Sequence, residues 1–272
     1  MLFYPNAKIN IGLNVVEKRP DGYHNIETVF YPIGLNDVLE IEPSETCADY
    51  SFSSSGIELG GDPEDNLIIK AYRLLRSDYQ FTPVDISLIK QIPFGAGLGG
   101  GSSDAAFMLK GLNELFELKI TPKKLEKYAA VLGADCPVFI KNKPVFASGI
   151  GNVFTPIKLK LKGYFLLLVK PDIHVSTPEA YSLVKPEKPQ FSLVELIQRP
   201  LIEWKDSIVN DFEKSVFAKH PEIETIKNAM YEMGAVYASM SGSGSSVYGI
   251  FETSLPEKVT FEGCFIASGM ME

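Results

Sequence analysis

Residues 93–105 read Pro-Phe-Gly-Ala-Gly-Leu-Gly-Gly-Gly-Ser-Ser-Asp-Ala, with five glycines among the seven positions from Gly95 to Gly101. Before this run, Val84, Ile86 and Leu88 alternate as a strand does; after it, Ala105, Met108, Leu109, Leu112, Leu115 and Phe116 make one helical face. No other stretch restricts the fold as much. Glycine adopts positive φ freely and lets a ligand reach the amides, at a cost in conformational entropy that a bare connecting turn has no reason to carry. Ser102 or Ser103 is expected to cap the following helix, so that its first-turn N–H groups and positive dipole end face the loop. Such a corner suits an anion, phosphate above all. The candidate phosphate-binding residues are therefore Pro93, Phe94, Gly95, Ala96, Gly97, Leu98, Gly99, Gly100, Gly101, Ser102 and Ser103.

Two other glycine motifs fit less well. Gly95, Gly97 and Gly100 satisfy G-x-G-x-x-G, but the helix after them leads to Thr121-Pro122 and another helix, where a dinucleotide fold needs a second parallel strand with an acidic end. A Walker A loop needs Lys after its last glycine, and Ser102 stands there. The amide cradle also explains how a chain with a formal charge of −8 can hold an acidic ligand. No Lys/Arg block is present, which argues against nucleic acid or an anionic membrane as partner. The longest purely apolar run, Phe165 to Val169, is far shorter than the ~20 residues that cross a bilayer. Cys47, Cys136 and Cys264 form no C-x-x-C pair and fit neither a disulfide framework nor a zinc cage. A secretion signal is not expected, and the motifs that begin by residue 6 favour a cytoplasmic protein without a transit peptide.

Along the chain, Ile9, Ile11, Leu13 and Val15 alternate with Lys8, Asn10, Gly12 and Asn14, which places Lys8 and Asn10 on one strand face opposite the buried row. Arg19-Pro20-Asp21-Gly22 predicts a turn, and the extended run from Tyr23 to Ile33 makes the start a hairpin. Strands are predicted at Val38–Ile41 and Tyr50–Ser53. A helix is predicted at Asn66–Ser77, with Leu67, Ala71, Leu74 and Leu75 as its apolar face. Thr121-Pro122 opens a further helix stopped by Gly133. The pattern restarts near residue 161 with a buried strand at Tyr164–Val169. A helix-rich stretch from Ser192 to Met233 follows, then strands at Val236–Met240 and Val247–Phe251 around a second Gly/Ser loop, and a short apolar piece at Cys264–Ala267. Strands and helices without strict alternation make this an α+β chain. At roughly 150 residues per domain its length allows two, divided here as 1–158 and 159–272.

On their own residues, Asp135 after Gly133 reads as a turn-former ahead of a catalytic group, and Lys8 still more readily as a solvated lysine. The loop, however, resembles the phosphate-binding signature of the GHMP kinase superfamily, which phosphorylates small molecules with ATP. Asn-Ala-Lys-Ile-Asn-Ile-Gly-Leu at 6–13, Asp-Gly-Tyr-His at 21–24, Gly-Ala-Asp-Cys-Pro at 133–137 and Met-Ser-Gly-Ser-Gly at 240–244 resemble its members that act on a cytidine diphosphate-linked sugar alcohol of the non-mevalonate isoprenoid route. The matched segments span nearly the whole chain. The resemblance implies an amino-terminal nucleotide-binding α/β domain, a carboxy-terminal α+β domain and an active site in the cleft between them. It implies Asp135 as the base that takes the proton of the acceptor's 2-hydroxyl, with Lys8 as its partner. It places Asn10 near the reacting alcohol, His24 on the cytosine, Tyr181 stacked on that base, Tyr23 nearby and Thr177 in the same pocket. It places Asn66 and Lys90 toward the adenine, and Gly242, Ser243 and Gly244 over the substrates. ATP is the implied co-substrate and Mg²⁺ is expected with it, with no metal ligands assigned in the protein. Cys136, where an aliphatic residue is common, and Ser245-Ser246 depart from the family pattern without touching this chemistry. A homoserine or mevalonate kinase-like member, or a non-catalytic nucleic-acid-binding module, are the alternative readings.

Overall fold

The computed structural model describes residues 1–271. The chain runs through β1 (Leu2–Phe3), β2 (Asn6–Lys18), β3 (His24–Asn36), β4 (Val38–Pro43) and β5 (Tyr50–Gly56) to α1 (Leu67–Asp78) and β6 (Val84–Lys90). Then come α2 (Gly100–Leu115), α3 (Pro122–Leu132), α4 (Val138–Lys141), β7 (Val145–Ser148), β8 (Val153–Pro156), β9 (Phe165–Lys170) and α5 (Thr177–Ala180). The rest comprises α6 (Leu193–Leu196), α7 (Trp204–Ser207), α8 (Glu213–Lys219), α9 (Pro221–Glu232), β10 (Tyr237–Met240), β11 (Val247–Phe251) and β12 (Phe265–Met270). The mixture of elements and the opening hairpin agree with the sequence pattern. The chain forms two compact units, each discontinuous in sequence: residues 1–7, 35–94 and 99–143 in one, and 8–34, 95–98 and 144 onward in the other.

In the first unit the sheet runs β1-β4-β6-β5, with β6 antiparallel to β4 and parallel to β5. The predicted alternation on β6 holds, since Val84, Ile86 and Leu88 are all buried. Asn66 caps α1 by accepting from the Ile68 amide at 2.9 Å. The buried residues of α1 are Ile68, Ile69, Ala71, Tyr72 and Leu75. Leu67 and Leu74 lie only at their margin, in a shallow groove with Val131 and Leu132. The expected cap of α2 is corrected: Gly99, at φ 70°, starts the helix, and Ser102 and Ser103 lie inside its first turn. A left-handed glycine turns the chain into the helix one residue after itself, so no serine is needed at that corner. Thr121 caps α3 as expected, accepting from the Lys124 amide, and Gly133 ends it.

The second unit holds two sheets, β2-β3-β7-β8 and β10-β11-β9-β12. In the latter, β9 lies antiparallel between β11 and β12 and buries Leu166, Leu167, Leu168 and Val169, as its unbroken apolar run requires. Val216 of α8 and Ile223, Ile226 and Met230 of α9 pack with Leu167, Val169, Met240 and Val247 in one apolar cluster. Strand β2 differs from expectation in its environment. Ile9 and Ile11 are fully buried, but Lys8 and Asn10 on the opposite face are only 4% and 3% exposed. Both faces are covered, and the polar row is covered by the glycine loops.

Candidate active site

The first glycine loop is built by alternation. Gly95, Gly97 and Gly99 take φ values of 56°, 71° and 70°, while Ala96 and Leu98 between them are buried. Two small anchors fix the loop, and the glycines make bends that other residues adopt only with strain. No side chain caps α2, so no side-chain acceptor competes for its first-turn amides. The His174 ring lies against Gly95, with Nδ1 3.0 Å from where a Cβ would stand.

Lys8 is drawn into this construction. Its Nζ donates to Asn10 Oδ1 at 2.6 Å and to the Gly97 carbonyl at 2.9 Å, and lies 4.8 Å from the centroid of the Phe30 ring. Its backbone amide donates to the Leu98 carbonyl at 2.9 Å. Asn10 is oriented from its other side, because its Nδ2 donates to Thr28 Oγ1 at 3.0 Å and Thr28 in turn donates to the Gly12 carbonyl. Ser241, at the start of the second Gly/Ser loop, closes the network. Its Oγ accepts from the Asn10 amide at 3.1 Å and donates to the Gly97 carbonyl at 2.9 Å. Asn210 holds that loop by donating to the carbonyls of Met240 and Gly242. Gly242 packs beside Asn10 and Gly97, Gly244 is buried, and Ser243 stays half-buried. Thr28 and Asn210 lie in no motif of the sequence, and Ser241 belongs to the 240–244 segment without a role of its own there. Replacing Ser241 by Ala strands the buried Asn10 amide and is expected to cost about 1–3 kcal/mol of stability, readable by denaturant titration.

In the first unit a pocket of about 470 Å³ is lined by Phe52, Ser54, Leu59, Asn66, Phe94 and Asp104, among others. Its charged lining consists of Asp62, Asp65 and Asp104, with no cation. It therefore suits an uncharged group rich in hydrogen-bond donors better than a phosphate. Asn66 is among the lining residues. Lys90, which the resemblance places toward the adenine, is 1% exposed and is not among the residues that line this pocket. Its ammonium is bound by Asp37 Oδ2 and by Asp104 Oδ2, the latter at 2.7 Å. An ammonium at the buried end of a strand needs carboxylates, and those two residues supply them. Burial holds the Asp104 carboxyl above the usual range, with Lys90 opposing and Asp37 reinforcing the shift.

Asp135 sits in the turn between α3 and α4, half-buried, with its carbonyl accepting from the Val138 amide at 3.3 Å. The adjacent Cys136 is buried, and burial pushes its thiol up to about 11, against a hydrogen bond with Ser102. That contact ties the Asp135 turn to the first turn of α2. Burial, by raising the thiol, leaves Cys136 a poor nucleophile. Ser103 Oγ is buried without a hydrogen-bond partner.

His24 and Tyr181 belong to the second unit and come together. Their rings stack with centroids 4.6 Å apart, and Phe212 meets Tyr181 edge-on at 4.6 Å. Burial, and then the nearby charge of Lys18, lowers the His24 pKa below its ordinary value, favouring the neutral ring. Thr177 is exposed at the first position of α5, one helical turn from Tyr181. Tyr23 is 62% exposed.

The GHMP kinases N terminal domain matches residues 66–143, and the GHMP kinases C terminal domain matches residues 193–262. A 4-diphosphocytidyl-2-C-methyl-D-erythritol kinase from Bacteroides fragilis is 60% identical over 269 residues, covering 97% of each chain. The chain belongs to the 4-diphosphocytidyl-2-C-methyl-D-erythritol kinase family of GHMP kinases. A solved structure titled 4-(cytidine 5'-diphospho)-2C-methyl-D-erythritol kinase is similar at a TM-score of 0.79 and 33% identity, covering 93% of this chain and 91% of that one. A solved mevalonate kinase shares the fold, at a TM-score of 0.72 and coverage of 100% and 99%, but only 14% identity. As a member of the 4-diphosphocytidyl-2-C-methyl-D-erythritol kinase family, the chain carries Lys8, Asn10, His24 and Tyr181 in one unit and Asn66 and Asp135 in the other.

Proposed function

We infer that the chain transfers the γ-phosphoryl group of ATP to the 2-hydroxyl of 4-diphosphocytidyl-2-C-methyl-D-erythritol, supplying isoprenoid precursors by the non-mevalonate route. The observation that carries this reading is the 60% identity, over 97% of both chains, with a kinase of that name. The donor-seeking, cation-free pocket around Asn66 and Phe94 takes the nucleoside of ATP. The amides of the glycine-rich loop and the uncapped start of α2 take its phosphates. Asp135 accepts the hydroxyl proton, and Lys8 supplies the positive charge of the transfer, held in place by Asn10 and the Gly97 carbonyl. His24 and Tyr181 read the cytosine, Tyr181 by its face and His24 by hydrogen bonding, with Tyr23 and Thr177 at the rim and Ser243 over the substrates. The family's two domains divide near residue 158, a placement supported by matches that end at 143 and resume at 193.

Mg²⁺ accompanies the nucleotide. Among the described residues no group of three or more His, Cys, Asp or Glu side chains is placed to hold a metal. The ion would be held chiefly by the nucleotide's phosphates and by water, and would supply neutralisation of phosphate charge. The enzyme works in the cytoplasm, where its charged substrates are dissolved; among the described residues no helix is long and apolar enough to cross a membrane.

ADP release is the direct test. It is expected with ATP and the cytidine diphosphate sugar alcohol, and not with homoserine or mevalonate; equal release with either of those rejects the assignment. Nucleic acid is not a partner, in keeping with the −8 charge, and a filter-binding titration checks this. A pH dependence also follows. Because the His24 pKa is lowered, the midpoint of its protonation lies below its ordinary value of 6.5. Protonation removes the ring's one acceptor. The KM for the cytidine substrate is expected to be flat from neutral pH downward and to rise only in that acidic range, while the KM for ATP stays level there. A rise beginning above neutrality contradicts this role for His24.

A further inference from the structure

Three buried ionisable side chains lie beside the nucleoside pocket, and packing alone does not explain them. Asp37, Lys90 and Asp104 are 0%, 1% and 3% exposed. Burying each ion costs several kcal/mol, and apolar residues of the same volume stabilise a core at least as well. The connections are specific. Asp37 Oδ1 accepts from the Gln91 amide at 2.6 Å and from the Ile92 amide at 2.8 Å, where β6 leaves for the glycine-rich loop. Its Oδ2 binds Lys90, whose ammonium also lies 5.2 Å from the centroid of the Phe94 ring and binds Asp104 Oδ2. Phe94 and Asp104 both line the pocket. Asp104 Oδ1 is buried and has no hydrogen-bond partner. A buried acceptor without a partner is costly, and a bound ligand that donates to it removes that cost.

We propose that Asp37 is a positioning residue for nucleotide binding: through Lys90 it sets Phe94 and Asp104, the pocket walls on either side of the glycine-rich loop, and keeps one oxygen of Asp104 for a hydrogen-bond donor on the nucleoside. The proposal rests on the reading of this pocket as the nucleoside site. Asp37 itself touches no ligand. Both of its oxygens are in use, and this is what makes it testable.

The D37N variant has a single acceptor oxygen and cannot serve both the two amides and Lys90. Calorimetric titration with ADP is expected to show binding about tenfold weaker than wild type, the scale of one lost hydrogen bond to a charged group. The KM for ATP rises in parallel, while the KM for the cytidine substrate does not move. Because Asp37 acts through Asp104, the D37N/D104N double variant should bind ADP no more weakly than the poorer single variant. Should D37N fail to fold, D37N/K90M removes the ammonium that the single change strands, and the same loss of ADP affinity is expected. ADP affinity within about twofold of wild type in a folded variant, or additive losses in the double variant, overturns the proposal. A loss shared equally by both substrates overturns it too. Wild-type protein that does not bind ADP overturns the pocket's assignment and the proposal together; wild type that binds, with D37N binding equally, overturns the proposal alone.

Discussion

Replacing Asp135 by Asn is expected to lower turnover by about 10²–10⁴-fold, the range for a positioned general base, with the fold intact. The amide has the shape of the carboxylate, and the turn that presents it depends on other groups: the Gly133 carbonyl accepting from the Cys136 amide, the Asp135 carbonyl accepting from the Val138 amide, and the Cys136 thiol against Ser102. Stability should therefore stay near wild type, and the loss should appear in kcat and kcat/KM together, the mark of an interaction made only in the transition state. A cation paired with an aspartate makes it a weaker base, which at first counts against this role. In a loose phosphoryl-transfer transition state the hydroxyl proton leaves late, so placing the acceptor matters more than its basicity. Single-turnover rates at saturating ATP and acceptor, beside circular dichroism of the variant, decide the matter. Turnover within about threefold of wild type removes Asp135 from the role of base.

What the sequence disclosed and what it withheld separate by the range of the interactions involved. Thr121-Pro122 specified the start of α3 because a cap is a contact over three residues. The alternation of Ile9, Ile11, Leu13 and Val15 specified the buried row of β2 because strand geometry is local. The glycine loop was legible from composition alone, since its conformation depends on lacking side chains. The placement of Lys8 was not. Its seclusion comes from Gly97, 89 positions away, and from Ser241, whose hydroxyl meets the Asn10 amide across 231 positions. No periodicity encodes such pairings. Lys90 gave a similar difficulty: a lysine ending a strand is ordinarily solvated, and only the fold brings Asp37 to it across 53 positions. Family resemblance implied roles for Lys8 and Asp135 and took in Ser241 only as part of the 240–244 segment, while Thr28 and Asp37 follow no motif and emerge only from hydrogen-bond geometry.

Gly97→Ala is expected to be the most damaging single-methyl change in the loop. A Cβ at Gly97 would stand 1.9 Å from the Ser241 carbonyl oxygen and 2.8 Å from its carbon. The obstacle is backbone, so no rotamer change relieves it. The residue also sits at φ 71°, where an L side chain adds strain of about 1–2 kcal/mol. Either the glycine-rich loop or the Ser241 loop must move, and both converge on the Gly97 carbonyl, which accepts from Lys8 and from Ser241 Oγ. Stability is expected to fall by about 2–4 kcal/mol, in the upper range for one substitution. Turnover in the surviving folded protein should drop by at least about 10²-fold on the proposed mechanism, in which a displacement of Lys8 by about 1 Å would misplace the charge assigned to it. Gly101→Ala separates this cause from a general intolerance of side chains in the loop. Gly101 lies within α2, and the nearest atom to its added Cβ is Leu67 Cδ1 at 3.8 Å, an ordinary contact. Its stability should stay within about 1 kcal/mol of wild type or rise, since alanine is the better helix former. Denaturant unfolding of the two variants side by side tests the difference: equal losses would mean that the loop, and not the carbonyl it meets at Ser241, sets the requirement for glycine.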